Sequence, residues 1–142
     1  MIQTFKSKGL KTIADVVINH KNGNSGWIDF PNETYTSTTT GKTYKLTWTP
    51  SADICNDDEA NTQSSSPYRG KITGAADTGE GDGGCRDLDH TSTEVQNNIN
   101  TYLDFLLNEM GYSGFRYDMT KGYAPKYTKL YNESAKPAFS VG

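Results

Sequence analysis

The chain has 142 residues, a formal net charge of −3 and a hydrophobic fraction of 33%. This length is enough for one modest domain with a core. The mild acidity and the lack of a basic stripe argue against a nucleic-acid partner. No apolar run approaches the roughly 18 residues of a membrane span. We therefore expect neither a nucleic acid nor a membrane as partner.

The N-terminal part of the chain predicts a helix followed by a strand. Ile2, Phe5 and Leu10 recur at helical spacing, and residues 12–18 form a nearly continuous apolar run. A strand that is apolar on both faces is typical of a buried parallel sheet.

Residues 21–86 differ in composition from the rest of the chain. Gly, Asn, Ser, Thr and Asp dominate, with short strand-like pieces such as residues 44–48. The segment is too long for an ordinary connection, so it is either a loop-rich subdomain or a disordered insert. Its aromatic residues, among them Trp27 and Phe30, favour the subdomain because disordered segments are poor in aromatics.

Regular structure is predicted again from Thr91 onward. Residues 91–94 form a capping-box pattern, and apolar residues then repeat at helical spacing as far as Met110. A strand over 114–118, a helix over 125–131 and the start of a strand over 138–142 follow. This alternation predicts βαβ units around a parallel sheet, whose functional residues collect beyond the carboxyl ends of the strands. A chain that ends inside a strand also suggests a fragment of a larger protein.

The two cysteines, Cys55 and Cys85, both lie in the polar segment. They are compatible with one disulfide or with two unrelated thiols. Sequence spacing does not show whether the two sulfurs are close.

The segment 114–123 places Arg116 and Asp118 two residues apart on a predicted strand. Strand side chains alternate, so both point to one face, and a guanidinium beside a carboxylate favours its ionised form. An ionised carboxylate at a strand end suits a glycosidase nucleophile, although an ordinary surface salt bridge has the same pattern.

Two further clusters could carry chemistry. Asp15 is a charge inside an apolar strand and needs a partner, while Asn19 and His20 follow at the strand end. An amide oxygen can ligate a hard cation and an imidazole can hydrogen-bond a substrate, but a plain strand-end turn fits as well. The acidic, glycine-rich segment 77–90 could wrap oxygens around Ca²⁺ or could be a solvated loop, and it lacks EF-hand spacing.

Three motifs, at residues 15–20, 86–90 and 114–122, occur in the order and spacing of conserved segments of the α-amylase family of retaining glycoside hydrolases, which the chain resembles. The polar excursion falls where that family inserts its domain B. The resemblance implies an α/β fold, a partial (β/α)8 TIM barrel from about strand three to the start of strand five. It divides the chain into barrel residues 1–20, domain B at 21–86 and barrel residues 87–142.

The resemblance also implies roles for the residues around the cleavage site. Asp118 is the expected nucleophile, and Arg116 holds it ionised and oriented. Asp15 is expected to pair with Arg116 inside the barrel. His20 would hydrogen-bond the sugar in the cleavage subsite, and Lys121 would contact the glucose on the leaving-group side.

A structural Ca²⁺ between barrel and domain B is implied as cofactor. Its expected ligands are Asn19, Asp87 and Asp77, together with the backbone carbonyls of Glu80 and Gly122. Many family members carry His where this chain has Gly122, and the variant resembles plant α-amylases and bacterial maltooligosaccharide-forming amylases. A backbone carbonyl can ligate Ca²⁺ whatever its side chain, but a histidine's contact to substrate would be lost.

The function implied is hydrolysis of internal α-1,4-glucosidic bonds of starch or glycogen, with retention through a covalent glycosyl intermediate. Alternatives are a maltooligosaccharide-forming exo-amylase, a non-catalytic amylase-like sugar-binding protein and a Ca²⁺-stabilised structural module. The partner would be an α-glucan, and the parent would be monomeric and extracellular, with its signal peptide outside the fragment. Because the family's acid/base glutamate is expected just past Gly142, we predict that the fragment alone is inactive.

Overall fold

The computed structural model describes residues 1–81 and 83–142. Its centre is a three-stranded parallel sheet with the order β1-β6-β7. The strands of the described residues are β1 Ile13–Val17, β2 His20–Lys21, β3 Glu33–Thr36, β4 Thr43–Leu46, β5 Arg86–Asp87, β6 Gly114–Asp118 and β7 Phe139–Val141. The predicted α/β fold with a parallel sheet is confirmed.

Helices connect the strands of this sheet, as parallel pairing requires. The helices of the described residues are α1 Ile2–Ser7, α2 Pro50–Asp53, α3 Glu59–Thr62, α4 Thr93–Asp104 and α5 Pro125–Ala135. A π-helical turn, Phe105–Glu109, prolongs α4, and a 3₁₀ turn, Thr120–Gly122, follows β6. No helix of the described residues is long and apolar enough to cross a membrane.

One face of the sheet forms the core. Val16 of β1 and Phe115 of β6 are fully buried, in one cluster with Val95 and Leu103 of α4 and Tyr131 of α5. Burying one such side chain contributes about 1.5–3 kcal/mol. The helical spacing after Thr91 thus reflects a real buried face of α4.

The opposite face of the sheet is open. Ile13 and Val17 of β1 are 44% and 42% exposed, and Phe139 and Val141 of β7 are 55% and 47% exposed. The prediction that this strand is buried on both faces is therefore wrong for β1. The physical reason is that no described residue forms a layer over this side of the sheet.

The polar segment is ordered wherever the structure describes it. β3 and β4 form an antiparallel hairpin, and β2 pairs with β5. Phe30 is buried and meets Trp48 edge to face at 5.6 Å between ring centroids. The described residues of this segment therefore match the loop-rich subdomain rather than the disordered insert.

The start of α4 differs from the predicted capping box. The N-cap residue is Ser92, whose hydroxyl accepts a hydrogen bond from the Val95 N–H at 3.4 Å. Thr91 instead donates its hydroxyl hydrogen to Asp89 Oδ1 at 2.6 Å. Because the Thr91 hydroxyl is hydrogen-bonded to Asp89, Ser92 rather than Thr91 caps the helix.

Both cysteines are free thiols in the structure. Cys55 is only 1% exposed, whereas Cys85 is half-buried. Burial raises the pKa of the Cys55 thiol far above its ordinary value. Of the two alternatives left open by the sequence, the structure thus has two separate thiols.

Candidate active site

A charged cluster runs along the open face of β1 and β6 and ends at Asp118, the last residue of β6. The parallel register pairs Asp15 with Arg116. Arg116 donates from Nη1 to Asp15 Oδ1 at 2.9 Å, and the same nitrogen lies 2.9 Å from Asp118 Oδ1. The hydrogen bond to Asp15 and the charge of Asp118 raise the pKa of Arg116. One permanently charged guanidinium therefore holds two carboxylates.

The chain turns sharply directly after Asp118. Met119 adopts a left-handed backbone conformation with φ of 54°, and the 3₁₀ turn begins at Thr120. A non-glycine residue held in this region costs on the order of 1–3 kcal/mol. The turn ends β6 at Asp118, which leaves this carboxylate at the rim with its side chain 40% exposed.

Three of the residues singled out in the sequence meet where β2 pairs with β5. His20 is the register partner of Asp87. Asn19 is 1% exposed and donates from Nδ2 to Asp87 Oδ1 at 3.2 Å. Its Nδ2 also lies 3.3 Å from His20 Nδ1. The structure therefore brings the strand-end motif and the end of the inserted segment together.

The acidic loop packs against the turn after β6. Glu80 donates its backbone N–H to the Lys121 carbonyl at 2.9 Å, and Ala124 donates its N–H to Thr78 Oγ1 at 3.0 Å. The Lys121 ammonium lies 2.8 Å from a Glu80 carboxylate oxygen, both side chains being well exposed. One main-chain hydrogen bond and one hydrogen bond to a threonine hydroxyl therefore hold this loop beside the turn that follows Asp118.

Buried oxygens without hydrogen-bond partners lie in this region. Among the described residues, Asn19 Oδ1 and Asp77 Oδ2 are buried and unpaired. Burial raises the pKa of Asp77. A Cβ at Gly122 would lie 2.1 Å from Asn19 Oδ1, so only glycine allows this approach. Unpaired buried oxygens are costly, and a hard cation would relieve that cost.

The described residues contain no group of three or more His, Cys, Asp or Glu side chains arranged to hold a metal ion. A cation here would therefore depend on the Asn19 amide and on backbone carbonyls as well as on carboxylates. Such mixed oxygen ligation is within the range that Ca²⁺ accepts. The oxygen donors present here are therefore of the chemical type that Ca²⁺ binds.

Asp58, which the sequence analysis did not single out, holds β5 in place beside Asn19 and His20. Asp58 is 4% exposed, accepts the Asp87 N–H at Oδ2 at 2.8 Å and accepts Arg86 Nη1 at 2.7 Å. It also caps α3 by accepting the Ala60 N–H. An acidic residue just before a short helix is a recognisable cap, but its partners lie far along the chain.

Two plant proteins are similar to this chain over almost its whole length. It is 27% identical over 146 residues to Alpha-amylase 3, chloroplastic, of Arabidopsis thaliana, covering 99% of this chain and 14% of that protein. It is 30% identical over 142 residues to Probable alpha-amylase 2 of the same plant, covering 100% of this chain and 30% of that protein. The chain thus spans less than a third of each relative.

A solved fungal structure has a similar fold. An α-amylase from Malbranchea cinnamomea aligns with a TM-score of 0.57 and 19% identity, covering 99% of this chain and 26% of that chain. At this identity the likeness shows the fold alone. The parallel sheet and its helices therefore correspond to part of an α-amylase barrel.

The expected extracellular location is contradicted. One of the two plant relatives is chloroplastic by name. Similarity to α-amylases therefore does not imply secretion.

Nearly the whole chain matches one family. The model of the α-amylase catalytic domain aligns with residues 1–138. The chain belongs to the α-amylase family, as a segment of its catalytic domain.

Proposed function

We propose that this chain carries the nucleophile side of an α-amylase active site, which cleaves internal α-1,4-glucosidic bonds of starch or glycogen with retention. The observation that supports this most is Arg116, which lies 2.9 Å from both Asp15 and Asp118 on the open face of the sheet. Membership in the α-amylase family supplies the reaction class. An intact pair of Arg116 and Asp118 disfavours a non-catalytic sugar-binding protein.

In the proposed reaction, an Asp118 oxygen attacks the anomeric carbon and the bond to the leaving oxygen breaks. A general acid protonates the leaving oxygen, and water later hydrolyses the glycosyl ester. Arg116, whose Nη1 lies 2.9 Å from Asp118 Oδ1, orients the attacking carboxylate. His20 hydrogen-bonds the sugar in the cleavage subsite, and Lys121 contacts the glucose on the leaving side.

Retention needs a second, protonated carboxyl group about 5–5.5 Å from the nucleophile. Burial raises the pKa of the Asp53 carboxyl to about 6 and also raises the pKa of the Asp77 carboxyl. Both lie in the segment between β1 and β6 rather than on the open face. We therefore propose that the 142 residues alone do not hydrolyse starch.

We also propose a Ca²⁺ ion that joins the inserted segment to the strand ends. Asn19 Oδ1, the carboxylates of Asp77 and Asp87, and the carbonyls of Glu80 and Gly122 would hold it. When bound, the ion would neutralise these oxygens and fix the loop beside the turn after Asp118. It would take no part in bond cleavage.

The test is a chimera in which residues 1–138 replace the matching stretch of the Malbranchea cinnamomea amylase. We expect the chimera to release reducing sugars from starch, and Asp118→Asn to lower this rate by at least about 1,000-fold. The 142-residue chain alone should release none. A folded Asp118→Asn chimera with unchanged activity would refute the nucleophile, and hydrolysis by the chain alone would refute the proposed inactivity. Thin-layer analysis of early products separates endo-cleavage from exo-cleavage.

A further inference from the structure

A cavity of about 500 Å³ lies between the β3–β4 hairpin and α4, away from Asp118. We call it the aromatic groove, because its walls include the rings of Tyr35, Tyr44, Tyr102 and Phe105. Its volume is within the range of ordinary ligand pockets. None of the roles proposed above involves these residues.

The rings of the groove are fixed in place before any ligand binds. Tyr35 and Tyr44 lie 6.4 Å apart with an interplanar angle of 31°, and Phe105 meets both edge to face. Tyr35 is 44% exposed, and its hydroxyl donates to Glu109 Oε1 at 2.8 Å. A ring held at its polar end presents its face without losing side-chain freedom on binding.

The rim of the groove is polar. Glu33, Thr34 and Thr101 line it beside the aromatic rings. A pyranose ring has an apolar face for stacking and hydroxyl groups at its edge, so aromatic walls with a hydrogen-bonding rim complement it.

The charges at the groove favour a neutral ligand. Glu33 pairs with Lys21 and Asp104 pairs with Lys42, which leaves Glu109, the acceptor of the Tyr35 hydroxyl, as a single negative charge beside the groove. An anionic ligand such as a nucleic acid would meet no excess of positive charge. A neutral polysaccharide meets no such obstacle.

The groove adjoins a second cavity, with which it shares part of its lining. This cavity, of about 210 Å³, shares Glu33, Leu46 and Tyr102 with the groove and is also lined by His20. A polymer bound in the groove could therefore extend toward the residue proposed to hold the sugar at the cleavage subsite.

We propose that the aromatic groove is an accessory binding site for an α-glucan chain, outside the Asp118 site. This inference rests on the proposed function for the class of its ligand. Stacking on Tyr35 supplies affinity, and the adjoining cavity lined by His20 places the bound polymer near the strand ends.

The test is calorimetric titration of the purified 142-residue protein with maltoheptaose. Tyr35→Ser should weaken binding about two- to twelvefold, since an aromatic contact contributes about 0.5–1.5 kcal/mol. Thr101→Arg should abolish binding, because the long side chain fills the groove from α4. Tyr68→Ser, a tyrosine outside both cavities, should leave binding unchanged, and Asp118→Asn reports separately on any maltoheptaose held at the proposed cleavage site. Cellohexaose, a β-linked probe, should bind more weakly.

Each other outcome is decisive. Unchanged affinity in both groove variants, with loss in Asp118→Asn, would overturn the inference and leave the proposed function standing. If the wild type gives no heat of binding, the inference that the groove binds an α-glucan is overturned. Starch cleavage by the chimera tests the proposed function separately. A dimer that Thr101→Arg dissociates would show that a second copy covers the groove and would also overturn it. If circular dichroism shows that Tyr35→Ser is unfolded, the affinity of Thr101→Arg for maltoheptaose tests the inference instead.

Discussion

The two faces of the central sheet differ although the same strands build both. On the closed face, Val16 and Phe115 are fully buried beneath the helices. On the open face, their sequence neighbours Val17 and Arg116 are exposed. Because side chains alternate along a strand, the buried core residues lie on the closed face and the candidate catalytic residues lie on the open face. Substitutions on the two faces should therefore have separable effects.

The largest effect on stability is expected from Phe115→Ala. Removing this fully buried ring should lower the free energy of unfolding by about 3–5 kcal/mol, because a cavity remains in the core. Urea denaturation followed by circular dichroism measures the change. Val17→Ala, on the open face of the adjacent strand, is the matched control and should cost much less. Equal losses for the two variants would mean that the faces do not differ as described.

The next effect depends on pH and concerns His90 in the closed core. His90 is 2% exposed and stacks on Tyr123 at 4.4 Å. Burial lowers its pKa from 6.5 to about 4, so the folded state disfavours the proton that the unfolded state accepts. Its neutral form is fully accommodated above pH 6.5, and stability falls as the pH drops toward 4, by roughly 3 kcal/mol in all.

His90→Gln isolates this effect, because the buried Asp53 acts in the opposite direction. Burial raises the pKa of Asp53 to about 6, so its contribution to stability grows as the pH falls from 6. This contribution is common to both proteins. Between pH 7 and pH 4 the wild type should therefore lose about 3 kcal/mol more than His90→Gln. Parallel pH profiles of urea midpoints would contradict the burial argument.

Calcium should stabilise the contact between the inserted segment and the strand ends, where Asn19, Asp77 and Asp87 are proposed to bind it. A free concentration 100 times the dissociation constant adds about 2.7 kcal/mol, which raises the melting temperature by several degrees. Differential scanning calorimetry with CaCl2 against EDTA measures the shift. Asp77→Asn should reduce it, whereas Asp29→Asn, an acidic residue in another loop, should not. An identical shift in both variants would place the ion elsewhere.

The smallest effect on stability is expected at the charged cluster. Asp15 is 68% exposed and its pair with Arg116 is screened by solvent. Asp15→Asn should therefore leave the urea midpoint unchanged within error, although it should lower starch cleavage by the chimera because Arg116 loses one anchor. A marked loss of stability with unaltered activity would reverse the assignment of roles to the two faces.

Local patterns in the sequence predicted much of this arrangement. Apolar periodicity located α4 and the strands, and alternation placed Arg116 and Asp118 on one face. The resemblance supplied the roles, which the geometry alone does not test. Periodicity could not predict that one face of β1 is open, because burial depends on what covers a strand.

Contacts between distant residues could not be predicted from local patterns. The buried pair of Asp58 and Arg86, at 2.7 Å, joins positions separated by 28 residues. The approach of Gly122 to Asn19 depends on how the turn after β6 meets the end of β1. The left-handed backbone conformation falls on Met119 rather than on a glycine or an asparagine, so residue type does not predict the sharp turn.

The central claim is that the carboxylate of Asp118 attacks the sugar. Its most direct test is mass spectrometry of the chimera after reaction with a fluorinated glucosyl fluoride, whose leaving group needs little protonation. We expect one fluoroglucosyl group per protein, located on the peptide that contains Asp118 and absent from Asp118→Asn. A label on Asp15 or on another carboxylate, with Asp118 unmodified, would contradict the account.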